Sequence, residues 1–214
     1  MKTIHGLEIG QNLEDFCRPD RMALLIYDMQ VGIARQVRDA ANITSRIARV
    51  LATARAKGFR VIFMRHLSMP PELMGAFQYR QAMAWQRKSD PQEVHSWFLR
   101  DAPGFQIVPE LQPAASEAIL DKITFSAFEG TPLAMILRDC GLTAFAICGI
   151  ATEIGIEPTV RHGADLGLVP IVIADACGSG RPEAGERSLA SIGFMGDAIV
   201  STVDEMIARM ENRA

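Results

Sequence analysis

Short apolar runs that alternate with helical patterns constrain the fold of this chain more than any other feature. Six runs carry few polar residues, as do strands that are buried on both faces of a parallel sheet. They lie at residues 23–29, 60–66, 118–123, 144–150, 169–177 and 197–202. Helical periodicity occurs between and after them, at residues 42–57, 131–139, 157–166, 182–192 and 204–213.

This order of strand, helix and strand predicts βαβ units with right-handed crossovers. The fold class is therefore α/β, with helices on both faces of a doubly wound sheet. The 214 residues are enough for one domain with a sizeable core. Because no repeat, low-complexity tract or linker interrupts the pattern, we predict a single domain spanning residues 1–214.

Charge and hydropathy argue against two classes of partner. The formal net charge is -3 and no long basic run occurs, so we expect no nucleic-acid partner. No segment reaches the roughly 18 apolar residues that cross a bilayer, so we expect no membrane partner. The N-terminal stretch lacks the apolar core of a secretory signal and the four cysteines form no CxxC pair. We therefore expect free thiols and a cytoplasmic location.

Two charged residues stand at the ends of predicted strands, where ligands bind in doubly wound sheets. Asp28 ends the first apolar run and Lys122 ends the third. A carboxylate that leaves a buried strand must be paired, hydrogen-bonded or protonated, and a lysine beside it would hold it ionised. The alternatives remain that Asp28 caps a neighbouring loop and that Lys122 is an exposed strand-end lysine.

A turn after the fourth strand is the second candidate element. Pro158 fits best in the first turn of a helix, which places the turn at about residues 152–157 with Gly155 inside it. Free backbone N–H groups at such a helix start can hold an oxyanion or a carbonyl oxygen. The alternative is that Gly155 only permits a tight turn.

A long connection, residues 67–113, contains one predicted helix in the stretch PPELMGAFQYRQAMAWQRK. Connections of this length are often lids or contact surfaces, although a plain surface excursion carries equal weight. Its aromatic residues offer apolar surface beyond what one small sheet needs, and we therefore predict a homo-oligomer. These residues are Phe77, Trp85, Trp97 and Phe98.

No pattern indicates a bound cofactor or metal ion. The stretch GSGRPEAG has Glu183 where a dinucleotide fingerprint requires its third glycine. His66 and His95 stand apart, and no histidine and carboxylate share metal-ligand spacing. We expect no cofactor and no metal.

Four stretches together resemble the isochorismatase-like hydrolase superfamily, which includes isochorismatases, nicotinamidases and N-carbamoylsarcosine amidohydrolases. In chain order they are LLIYDMQ, DKITFSAFEGTPL, CGIATEIGIEPTVRHGADLG and VPIVIADAC. The resemblance implies a Rossmann-like, three-layer αβα fold with a six-stranded, mainly parallel sheet of order 3-2-1-4-5-6.

The resemblance also implies roles for individual residues. Asp28 would transfer protons with Lys122 as its charged partner, and a cis peptide bond would join Ile150 to Ala151. In these families that turn, here formed by Ile150, Ala151 and Gly155, points backbone N–H groups at the substrate carbonyl. Three further residues are expected in the pocket, namely Gln30, Phe128 and Trp85.

Gly155 departs from the amidase branch, where a nucleophilic cysteine stands at this position. The isochorismatase branch also places glycine there and cleaves a vinyl ether with an aspartate and water. We therefore predict a cysteine-independent hydrolase of a small, anionic or carbonyl-bearing molecule. Two alternatives remain, a non-catalytic descendant that binds a small molecule or partner, and a hydrolase in which another group replaces the thiol.

Overall fold

A computed structural model describes residues 1–212 and contains a hairpin and a six-stranded sheet. The hairpin pairs β1 (Lys2–Ile4) with β2 (Leu7–Ile9). This hairpin was not predicted, because its strands are three residues long and wholly exposed. The sheet contains β3 (Met22–Tyr27), β4 (Arg60–His66), β5 (Ala118–Lys122), β6 (Ala144–Ile150), β7 (Val169–Gly178) and β8 (Ile199–Ser201).

The strand order of the sheet is β5-β4-β3-β6-β7-β8, and every neighbouring pair is parallel. Counted from β3, this is the order 3-2-1-4-5-6. The predicted three-layer α/β fold is confirmed, and β4 and β6 begin and end where the apolar runs predicted.

Eight α-helices occur within residues 1–212. They are α1 (Leu13–Phe16), α2 (Val31–Ala34), α3 (Ala40–Ala56), α4 (Ala76–Gln86), α5 (Leu133–Asp139), α6 (Glu157–Asp165), α7 (Pro182–Met195) and α8 (Val203–Glu211). The two four-residue helices α1 and α2 were not predicted, because four residues are too few to show a period. The predicted end of the last helix at position 213 lies outside the described residues. No described helix is long and apolar enough to cross a membrane.

Strand β3 shows why the sheet needs helices on both faces. Its alternate residues Leu24 and Ile26 belong to the core cluster that includes α3 and α8. Leu25 and Tyr27 point the opposite way, into the cluster formed with α5, α6 and α7. Since successive strand residues face opposite sides, a strand that is apolar throughout must be covered twice.

The connection between β4 and β5 folds as α4 and a series of short turns. Four 3₁₀ turns lie within residues 67–113, and each begins at a proline: Pro71–Leu73, Pro91–Glu93, Pro103–Phe105 and Pro109–Leu111. Proline suits the first position of a helical turn because its missing N–H has no partner to lose there. An isolated bridge between Gln30 and Ile107 ties this connection to the end of β3.

Gly149 in β6 is required by the close approach of β3. Its φ is +132°, and a Cβ added there would overlap the backbone carbonyl of Tyr27. We expect Gly149→Ala to lower the free energy of unfolding by about 2 kcal/mol or more, measured by urea denaturation.

Gly193→Ala in α7 is the matched control, because a Cβ at Gly193 meets nothing within 4 Å. It is expected to raise the free energy of unfolding by about 0.5–1 kcal/mol, as alanine does in a helix. Equal unfolding midpoints for the two variants would contradict the packing described for β3 and β6.

Candidate active site

Asp28 and Lys122 form a buried ion pair at the carboxyl edge of the sheet. Asp28 follows β3 and Lys122 ends β5, on either side of β4. The Lys122 Nζ lies 2.8 Å from Asp28 Oδ2, with 1% of the lysine side chain and 8% of the aspartate side chain exposed. The ammonium also donates to the Thr124 carbonyl at 3.2 Å. The structure therefore brings together the two charged residues that the strand ends singled out.

The surroundings of this pair change how easily each group holds a proton. Burial raises the pKa of the Asp28 carboxyl above its ordinary value, although the nearby Lys122 ammonium acts in the opposite direction. Burial likewise lowers the pKa of Lys122. Within the described residues, Asp28 Oδ1 is buried without a hydrogen-bond partner. The carboxyl group therefore has one oxygen engaged by lysine and one without a partner in the protein.

The turn after β6 adjoins the pair. The peptide bond between Ile150 and Ala151 is cis, and a π-helical turn, Thr152–Ile156, leads from it into α6. The N–H groups of Ile154, Gly155 and Ile156 donate to the Ala151 carbonyl at 3.3, 3.0 and 3.1 Å. These three donors are used inside the turn, so the expectation that Gly155 presents its N–H to a substrate is not supported.

The side chain of Tyr27 explains why position 155 holds glycine. A Cβ built on Gly155 would overlap the hydroxyl and ring carbons of Tyr27. The φ of Gly155 lies outside the left-handed region, so the backbone there does not itself require glycine. A tight turn therefore does not by itself explain the glycine, and the space taken by the Tyr27 side chain does.

A cavity of about 500 Å³ opens above the ion pair. Asp28, Lys122, Ile150 and Ala151 line it together with Tyr27. One wall is aromatic, built by side chains that meet edge to face: Phe125 with Trp85, His66 with Trp85 and Phe98, and Trp97 with Phe98. Three of these residues come from the connection between β4 and β5, which therefore supplies a wall of the cavity.

Charged residues that sequence reasoning missed also line this cavity. They are Arg87, Glu153 and Arg181. Arg87 caps α4 with a left-handed backbone, φ +55°, and Arg181 precedes the first turn of α7. Glu153 accepts from the N–H of Gly180 through Oε1 at 2.8 Å, while its buried Oε2 has no partner among the described residues. Charged residues in loops carry no periodic signal. The sequence marked the segments that contain these three residues, but not their side chains.

Of the three residues expected in the pocket, Trp85 lines the cavity, and Gln30 and Phe128 do not. Gln30 is fully buried, and its amide donates to the carbonyls of His66 and Phe105, both at 3.0 Å. Its role is to hold the connection against β4. Phe128 packs edge to face on Phe145 in the core, with ring centroids 5.4 Å apart. Both residues stand in stretches that resemble the family, LLIYDMQ for Gln30 and DKITFSAFEGTPL for Phe128. Their side chains do not reach the cavity.

No cysteine lines this cavity, and the histidine that lines it, His66, is uncharged. Burial raises the pKa of the Cys148 thiol well above its usual range and raises the pKa of Cys177 to about 12. Burial, with the Lys122 charge, lowers the pKa of His66 to about 3, so this cavity residue is a neutral imidazole at pH 7. No group of three or more His, Cys, Asp or Glu residues in positions 1–212 could hold a metal ion.

The chain is similar to curated amidohydrolases over most of its length. It is 28% identical over 186 residues to ureidoacrylate amidohydrolase RutB of Serratia proteamaculans, which covers 79% of this chain and 75% of the relative. The RutB of Pantoea ananatis is 28% identical over 192 residues, covering 79% and 74%.

Solved structures share the fold. A cysteine hydrolase from Pseudomonas syringae pv. phaseolicola has a TM-score of 0.77 at 26% identity, covering 91% of this chain and 94% of that one. N-carbamoylsarcosine amidase from Thermoplasma acidophilum has a TM-score of 0.70 at 20% identity, covering 86% of this chain and 97% of that one. This similarity concerns the fold alone. The isochorismatase domain model matches residues 22–205. With the parallel sheet and the strand-end ion pair, this match shows that the chain belongs to the isochorismatase family.

Proposed function

We propose that this protein hydrolyses a small metabolite without a cysteine nucleophile, with Asp28 as the proton-transfer residue and Lys122 as its charged partner. The observation that carries this proposal is the Asp28 carboxyl group. It lines the cavity, one oxygen is held by Lys122 at 2.8 Å, and the other has no hydrogen-bond partner in the described chain. A buried, unpartnered carboxyl oxygen in a cavity is suited to exchange a proton with a bound substrate.

The raised pKa of Asp28 supports a role as general acid. In the proposed step the carboxyl donates its proton to the leaving oxygen or nitrogen as the bond to carbon breaks. A water molecule adds its hydroxyl to that carbon, and its remaining proton restores the carboxyl. Lys122 stabilises the carboxylate while the proton is absent, which limits the cost of a charge in this buried place.

The chemistry around position 155 supports a mechanism without a thiol. Gly155 has no side chain, and Cys148 and Cys177 hold thiols whose pKa values burial raises. The thiolate is the nucleophilic form, so these groups are poor nucleophiles near neutral pH. Neither cysteine lines the cavity.

The lining of the cavity supports a small anionic substrate with an apolar or planar part. Arg87 and Arg181 supply positive charge, and the aromatic wall supplies flat apolar surface. The curated relatives are named ureidoacrylate amidohydrolases. Ureides, amides and vinyl ethers that carry a carboxylate are therefore the substrates to screen first.

Asp28→Asn is expected to reduce kcat/KM by roughly 10²-fold or more, because the amide keeps the shape but cannot transfer a proton. Hydrolysis of the screened compounds is the measurement. Asp121→Asn is the matched control, since Asp121 is also ion-paired, to Arg65 at 2.8 Å, but does not line the cavity. Equal losses in the two variants would contradict a proton-transfer role for Asp28.

Iodoacetamide treatment is expected to leave turnover intact, because the mechanism uses no thiol. Cys177→Ser should likewise retain activity. Mass spectrometry identifies which cysteines have reacted in the treated protein. Inactivation that maps to Cys177 would show that a thiol takes part and would refute the cysteine-independent mechanism.

The alternative is a non-catalytic protein that uses the same cavity for binding. An absence of turnover across the screen, with ligand affinity unchanged by Asp28→Asn, would replace our proposal with this one. The buried acid–lysine pair favours catalysis, because a site that only binds a ligand has no evident use for a carboxyl group and an ammonium whose pKa values are shifted by burial.

We also propose a homo-oligomer. Fewer of the four aromatic residues named from the sequence support it, because most of them line the cavity. Phe98 is buried, and Trp85 and Trp97 line the cavity. Of the four aromatic residues, Phe77 on α4, 65% exposed, therefore offers apolar surface outside the cavity. The cytoplasmic location and the single domain of residues 1–214 stay predictions.

Light scattering at micromolar concentration is expected to give at least twice the mass of one chain. Phe77→Glu should shift the protein toward the monomer, because it places a charge in the contact. Phe194→Glu serves as the control, since Phe194 is 88% exposed on α7, away from the connection. A monomeric unmodified protein would end this proposal.

A further inference from the structure

Tyr27 occupies an unusual place between the ion pair and the turn. It is the last residue of β3, directly before Asp28, and its side chain points into the core cluster on the α5–α7 side. The hydroxyl end reaches the turn after β6, where it fills the space that a side chain on Gly155 would need. Only 2% of Tyr27 is exposed, yet it contributes to the lining of the cavity.

Two contacts fix the ring in this place. The hydroxyl donates a hydrogen bond to the Phe125 carbonyl, in the segment that follows β5. The Lys122 Nζ lies over the ring face, 4.3 Å from its centroid. Such a cation–π contact favours the charged lysine and restricts where the ammonium can lie.

Burial also decides the chemical state of the phenol. It raises the pKa of Tyr27 well above its usual range, with a further contribution from the Asp28 charge. The hydroxyl is therefore protonated at neutral pH and acts as a hydrogen-bond donor. A phenolate nucleophile in the place of a thiol is not supported.

We propose that Tyr27 is a positioning residue, whose ring takes the space of a side chain at position 155 and holds the Lys122 ammonium and the Phe125 segment at the cavity wall. Position 155 is glycine because the ring is there. The positioning of Lys122 for proton transfer rests on the proposed function, whereas the sharing of space between Tyr27 and Gly155 does not.

A stability cycle tests the shared space without a substrate. Gly155→Ala should lower the thermal midpoint by roughly 5 °C or more, because the ring is buried and held at its hydroxyl end. The same change in a Tyr27→Phe background should still cost most of this, since Phe retains ring carbons that a Cβ would overlap and loses only the hydroxyl. In a Tyr27→Val background it should cost much less.

Tyr27→Leu replaces Tyr27→Val in this cycle if the valine variant does not fold. Gly193→Ala is the control. It should change the thermal midpoint by the same amount in all three backgrounds, because its Cβ would meet nothing within 4 Å. An equal loss from Gly155→Ala in every background would overturn the shared-space part of the proposal.

Kinetics test the positioning of Lys122. Tyr27→Val should lower kcat by roughly tenfold with a smaller change in KM, and should move the pH profile, because the ammonium is no longer held beneath a ring. Tyr27→Phe keeps the ring and should restore the wild-type profile. A Tyr27→Val enzyme with unchanged kcat and pH profile would overturn the positioning role.

A readout that needs no turnover separates this proposal from the proposed function. The carboxyl ¹³C signal of Asp28, assigned with Asp28→Asn, should titrate with a higher midpoint in Tyr27→Val, because a loosely held ammonium lowers the carboxyl pKa less. His66, the other titratable group beside Lys122, stays neutral above about pH 3 and does not obscure this midpoint. An inactive wild-type protein would defeat the proposed function, whereas an unmoved Asp28 midpoint would defeat the positioning role.

Discussion

The ion pair between Asp28 and Lys122 organises the carboxyl edge of the sheet. Both side chains are almost fully buried, and removing one partner of such a pair typically costs about 3–5 kcal/mol, because a bare charge is left behind. The pair therefore requires that β3 and β5 flank β4 in a fixed register. That register, in which His66 lies opposite Lys122, also places an imidazole beside the pair.

The long connection between β4 and β5 is held beside this ion pair by hydrogen bonds of Gln30. The buried amide of Gln30 ties it to the strand ends, through the backbone of His66 and of Phe105. Held there, the connection lays Trp85, Trp97 and Phe98 over the cavity. These aromatic side chains give the cavity an apolar wall, and electrostatic effects of charged groups are larger in less polar surroundings. Part of the connection, which the sequence marked as a lid, a contact surface or a surface excursion, thus forms a wall of the candidate site.

The turn after β6 packs directly against the side chain of Tyr27 from β3. Family resemblance pointed to Gly155 as the place of a missing group, and geometry shows that the space is filled from β3 by Tyr27. The phenol is neutral and hydrogen-bonded, so it adds packing and a donor to the site, but no nucleophile. The ring thereby keeps the inside of the turn densely packed, as protein interiors require.

The sequence by itself determined the strands of the six-stranded sheet, the major helices and the two charged strand ends, because these depend on local periodicity and on the rule that parallel strands end at one edge. Tertiary structure alone decided that Gln30 and Phe128 point away from the cavity and that Arg87 and Arg181 reach it. It also decided that Tyr27 meets Gly155. These contacts join residues far apart in the chain, and no local pattern encodes them. They follow from how the helices and loops pack on the finished sheet.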